Sequence, residues 1–100
     1  QPHRYSRIKS LKLEFASSFK KSDQVILCPM YAAGESLDKT YDKNKFAFLI
    51  SKLSKTQVIL IDNENDLTKF FRKNLINDEI VIGMGAGSIS KWIYNLKNIL

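Results

Sequence analysis

Within the first seven residues, Gln1-Pro2-His3-Arg4-Tyr5-Ser6-Arg7, stand an imidazole, two guanidiniums and two hydroxyls. Lysine and arginine together number 16, yet only Arg4, Arg7 and Arg72 are arginine. In so lysine-rich a background, arginine at two neighbouring places points to its planar, two-pronged donor. That fork matches a carboxylate or a phosphate in a way that an ammonium does not. The chemistry indicated is anion recognition. His3 is either a hydrogen-bonding group for a substrate or an exposed ring near the start of the chain.

Two further segments carry chemistry. Gly83-Met84-Gly85-Ala86-Gly87-Ser88 lies between an apolar run and a helical pattern, where doubly wound folds place anions. The spacing fails the dinucleotide fingerprint, and no Gly-Lys-Ser/Thr follows to make a phosphate loop. Two readings stay open: an anion-facing turn at Gly85, Ala86, Gly87 and Ser88, or a tight turn capped by Ser88. Tyr31-Ala32-Ala33-Gly34-Glu35 is expected at the same end of the sheet. There Glu35 orders a substrate amine, steadies an arginine, or is a solvated loop carboxylate. Cys28 sits in an apolar run with nothing nearby to mark a nucleophile. No Cys/His spacing suits a metal, and no residue set argues for catalysis within these 100 residues.

The hydrophobic pattern supplies the elements that must position these groups. Ile8, Leu11, Phe15 and Phe19 recur at steps of three and four, predicting a helix from Arg4 or Tyr5 to Phe19. Three short apolar runs, at 25–28, 58–61 and 80–82, read as buried strands. Helices are predicted over 42–53, from the capping residues at 63–66 through Leu75, and from Ile89 to Leu100. Uniformly apolar strands alternating with amphipathic helices mean a mainly parallel sheet covered on both faces. The expected fold is therefore a single three-layer α/β/α, Rossmann-like domain over residues 1–100.

A net charge of +6 raises the question of nucleic acid. The lysines are scattered among acidic residues, as in Lys12-Leu13-Glu14, and no nucleic-acid-binding motif accompanies them. No nucleic-acid partner is expected. Apolar runs fall far short of the ~20 residues that cross a bilayer, so no membrane insertion is expected either. A single cysteine points to a reducing compartment.

The strings at 1–7, at 31–35 and Met84-Gly85-Ala86-Gly87-Ser88-Ile89 resemble, in order and spacing, the C-terminal domain of the alanine-adding Mur ligases, the UDP-N-acetylmuramate–L-alanine ligase family. The resemblance runs over the whole chain. It implies a cytoplasmic enzyme of peptidoglycan synthesis that uses ATP and Mg2+ to join L-alanine to UDP-N-acetylmuramate through an acyl phosphate. It also implies that the UDP-sugar and ATPase domains precede Gln1, with most of the ATP and Mg2+ contacts. A first strand before Gln1 is implied too, central between the strands at 25–28 and 80–84. On this resemblance His3, Arg4 and Arg7 face the alanine and the substrate carboxylate or phosphoryl group. Tyr31, Glu35 and the turn at Gly85, Ala86, Gly87 and Ser88 flank the same cleft, and the chain alone is expected to be inactive. The family's acidic-then-aliphatic pair before Tyr-Ala-Ala-Gly-Glu is replaced by Pro29-Met30. Two other readings of the residues are a stand-alone anion- or nucleotide-binding α/β module and a basic nucleic-acid-binding domain.

Overall fold

A computed structural model describes residues 1–98. Along the chain run α1 (Tyr5–Ser10), α2 (Lys12–Ala16), β1 (Gln24–Leu27), α3 (Lys43–Ser54), β2 (Gln57–Leu60), α4 (Glu64–Asn74) and α5 (Ile89–Leu96). The strands β1 and β2 are parallel, with Val25 opposite Val58 and Leu27 opposite Leu60. The ladder continues past β2 through the Ile61 amide, which donates to the Leu27 carbonyl at 3.1 Å.

Side chains alternate across a pleated strand, so one apolar run serves two faces. Val25 and Leu27 pack into a core with Ile8 of α1, Ala16 of α2, and Phe46, Ala47 and Ile50 of α3. Ile26 and Ile59 face the other way, onto Cys28, Ile61, Leu67 and Phe71 of α4, and Ile89 and Leu96 of α5. Helices thus cover both faces of a parallel sheet, as the apolar strands required. Phe46 and Ile50 are almost completely buried, and burying such a side chain stabilises the fold by roughly 1.5–3 kcal/mol.

Local chemistry sets the helix ends. Asp42 caps α3 by accepting from the Asn44 and Lys45 amides, and Asn63 caps α4 by accepting from Asp66. The helix expected from 4 or 5 to 19 is divided. Leu11 leaves helical geometry at φ −115° and ψ 25°, separating α1 from α2. Beyond α2 the hydroxyls of Ser17 and Ser18 bond the carbonyls of Leu13, Glu14 and Phe15. Serine competes in this way with the backbone ladder and ends the helix early. Buried Ser54 then ties α3 to the end of α2 on the same face of the sheet: its hydroxyl donates to the Ala16 carbonyl at 2.6 Å and accepts from the Phe19 amide.

The strand expected at 80–82 does not form among the described residues. Ile80, Val81 and Ile82 are 88%, 40% and 72% exposed and join no ladder. Apolar composition favours a strand only where a neighbour supplies backbone partners. β2 takes one edge of β1, and no described segment pairs along the other. Leu100, expected on the last helix, lies outside the described residues.

Candidate substrate-facing site

Three segments remote in sequence meet beyond the carboxyl end of β1. The leader at 1–4 lies beside Tyr31 in a parallel bridge centred on His3. The Tyr31 amide donates to the Pro2 carbonyl at 2.9 Å, and the Arg4 amide donates to the Tyr31 carbonyl at 2.8 Å. Pro2 is almost completely buried, which anchors the leader apolarly as well. The rings of His3 and Tyr31 stack at 5.7 Å between centroids, 9° from parallel.

The glycine turn closes on the same place. A Cβ added at Gly87 would lie 2.3 Å from the Tyr31 ring, so only glycine admits the ring there. Gln1 joins the turn to the leader. Its amino nitrogen donates to the Met84 carbonyl at 2.9 Å, and its Nε2 donates to Ser88 Oγ at 2.9 Å. Its Oε1 accepts from the Ile89 amide at 3.1 Å. The first free donor of α5 is therefore satisfied by the Gln1 carboxamide, while Ser88 makes no side-chain cap. This corrects the reading of the turn as capped by Ser88. A side chain 88 residues away does the capping, and sequence spacing carries no trace of that.

The cations point outward. Arg4 and Arg7 are exposed, and neither forms an ion pair among the described residues; the one pair there is Lys43–Asp62 at 2.6 Å, itself exposed. Arg4 sits at φ 64° and ψ 127°, a conformation that L side chains rarely adopt. Such strain persists only where the surroundings over-determine it, and it gathers at functional sites. His3 Nδ1 is buried without a hydrogen-bonding partner among the described residues. Orphaned buried polar atoms are uncommon in folded proteins.

Glu35 forms no ion pair with either arginine among the described residues, though Arg4 is near enough to favour its ionised form. Its carboxylate accepts from the Ser6 amide at 3.2 Å and from the Ser6 hydroxyl at 2.5 Å. The Ser6 hydroxyl bond above all, then the amide bond, holds the Glu35 carboxyl below its ordinary value. The loop presents it through two left-handed residues, Ala33 at φ 54° and Gly34 at φ 87°. Gly85 and Ala86 are exposed at the turn. Cys28 is buried, and burial pushes its thiol up, away from the reactive thiolate.

Beside the junction, at the carboxyl ends of β1 and β2, a cleft of about 280 Å³ is lined by Tyr5, Pro29, Met30, Tyr41, Lys43 and Asp62, among others. Pro29 and Met30 thus put apolar surface into this cleft. Burial, with Tyr5 and Asp42 nearby, pushes the Tyr41 phenol up to about 12, so it stays a neutral hydroxyl. Sequence reading missed this cleft's Tyr41, Lys43 and Asp62, as it missed Gln1 and Ser6. Among the described residues no group of three or more His, Cys, Asp or Glu could hold a metal ion, and no helix is long and apolar enough to cross a membrane.

The fold and this junction define a parallel α/β domain that gathers unpaired cations beyond the carboxyl end of its first strand. Its relatives make the class more particular. The chain is 46% identical over 100 residues to a protein of Pelagibacter ubique named UDP-N-acetylmuramate–L-alanine ligase, covering all of this chain and 22% of the relative. Proteins of the same name from Lachnospira eligens and a Bradyrhizobium species are 41% identical over 91 residues and 33% over 100. They are matched over 20% and 21% of their lengths, by 91% and 100% of this chain. No family model matches. Over its whole length the chain is similar to proteins named UDP-N-acetylmuramate–L-alanine ligase, as a fragment of such a protein would be, and it spans about one fifth of the relatives it matches.

Proposed function

We propose that this chain is the C-terminal, substrate-closing domain of a cytoplasmic ligase that adds L-alanine to UDP-N-acetylmuramate in peptidoglycan synthesis. By itself it does not turn over. ATP with magnesium, when bound in the longer protein, activates the muramoyl carboxylate toward the alanine amine. No described residue cluster suits magnesium, so no residue of this chain is assigned to it. The observation that carries the reading is two exposed arginines, Arg4 and Arg7, without an ion-pair partner among the described residues, the Arg4 backbone being held beside a strand end by its bond to Tyr31. Such a pair holds a carboxylate by its two oxygens and stabilises the negative charge that accumulates as the acyl group is activated. The unpartnered His3 Nδ1 leaves one hydrogen bond to be made by a substrate or by a neighbouring domain.

Titration calorimetry of the 100-residue chain with ATP, UDP-N-acetylmuramate and a random oligonucleotide tests this. Weak or no binding of each is expected. Micromolar binding of ATP would replace this reading with a stand-alone nucleotide-binding module. Tight, steeply salt-dependent binding of the oligonucleotide would replace it with a nucleic-acid-binding domain.

A further inference from the structure

Helix α1 opens with a residue that cannot cap it. The N-cap position normally carries Ser, Thr, Asp or Asn, whose side-chain oxygen accepts an otherwise free backbone N–H. Here it is Arg4, which has donors and no acceptor, and which makes no side-chain cap. The acceptor comes instead from Glu35, 29 residues along the chain, which takes both the Ser6 amide and the Ser6 hydroxyl. Arg4 itself is held in its left-handed backbone by its amide bond to Tyr31 and, at its carbonyl, by the Ile8 amide at 3.3 Å. Glu35 therefore grips the residue that lies between those last two anchors.

From this arrangement we infer that Glu35 is a positioning residue: it supplies, through Ser6, the helix cap that lets an arginine occupy the N-cap and so aims the Arg4 guanidinium. It touches no substrate. This rests on the proposed role of Arg4 and extends it, replacing the expectation that Glu35 itself binds substrate. The geometry also accounts for the loop that carries Glu35. Gly34 has nothing within 4 Å of an added Cβ, so space does not demand glycine there; the φ of 87° does. That left-handed step, with Ala33 before it, turns the loop so that Glu35 meets the start of α1.

The test is a mutant cycle in the full-length ligase, with alanine-dependent turnover, KM values and thermal melts measured for Glu35→Ala, Arg4→Lys and the double variant. Misaiming a substrate-holding group costs rate, so Glu35→Ala is expected to lower kcat about tenfold, beyond the modest fall in melting temperature that loss of a helix cap brings. In the Arg4→Lys background the same change is expected to cost less than about twofold, because the group it aims has already gone. Glu35→Gln, which keeps one carbonyl acceptor for Ser6, should recover part of the loss. Full additivity of the two changes, or wild-type rates for Glu35→Ala, overturns the positioning role even if Arg4→Lys is crippled. Wild-type rates for Arg4→Lys alone instead remove the substrate clamp, and with it any arginine for Glu35 to aim.

Discussion

The leader at 1–7 and the segment at 80–84 invert the usual relation between composition and order. The leader is polar and charged, yet it is tied by backbone bonds to Tyr31, by the Glu35 carboxylate and by the buried ring of Pro2. The second segment carries Ile80, Val81, Ile82 and Met84, all exposed; its described bond is Gln1 nitrogen to the Met84 carbonyl. What differs is the supply of partners for backbone groups. Hydrophobic side chains drive burial, but a stretch of backbone is placed only where its N–H and C=O groups are answered.

The sharpest way to break the ordered side of this contrast is Gly87→Ala. Its Cβ would meet backbone-anchored Tyr31 at 2.3 Å, and the ring must leave its stack on His3 to make room. Overpacking of this kind should cost about 2 kcal/mol, read as a lowered denaturant midpoint with an unchanged slope. Next in size, Arg4→Lys or Arg7→Lys in the full-length ligase should slow alanine addition at least tenfold, about 1.4 kcal/mol in the barrier. Domain stability should barely move, because exposed charges contribute little to folding. Wild-type kinetics in both variants would sink the clamp.

A pH scan separates the regions more finely. Glu35 and Asp38 both lie below their ordinary values of 4.5 and 3.8, held by hydrogen bonds first from Ser6 and from Thr40. A carboxyl depressed in the folded state stabilises it above the ordinary value, and that contribution is lost as pH falls through the folded one. Melting temperature should therefore drop below about pH 4.5, and Glu35→Gln should flatten part of that drop. No change in the profile would mean that the Ser6 bonds do not persist in solution. The smallest effect belongs to the exposed side: Ile80→Ser in this chain should change stability by less than about 0.5 kcal/mol. In a chain extended before Gln1 by about six apolar residues, a typical strand length, the same change should cost clearly more. Equal costs at both lengths would remove the expected strand between β1 and residues 80–84.

Most of the architecture was legible because it depends on period alone. Val25, Ile26 and Leu27 alternate between two cores, and Phe46 with Ile50, or Leu67 with Phe71, mark helix faces. Neither the break at Leu11 nor the stop after Ala16 was legible: the neighbours of Leu11 keep helical spacing, and the later stop lies in the Ser17 and Ser18 hydroxyls competing for carbonyls. The strand at 80–82 misled because strand formation is a property of pairs, and a run of isoleucine and valine reports only one member. In the candidate site, the three motifs were visible as strings, and the expectation that 31–35 and the glycine turn share one end of the sheet followed from topology. How they interlock was not visible. Gln1 with Ser88 and Ser6 with Glu35 are single side-chain contacts across 87 and 29 residues, and no periodicity encodes such a contact.

The amino nitrogen of Gln1 donates to the Met84 carbonyl, and partial loss of its hydration lowers its basicity. In any longer polypeptide the same atom is an amide. It would keep its proton and its bond to the Met84 carbonyl, and lose the charge that makes its burial costly. What is an end group here then becomes a neutral rung between two backbones, the unit from which a ladder is built.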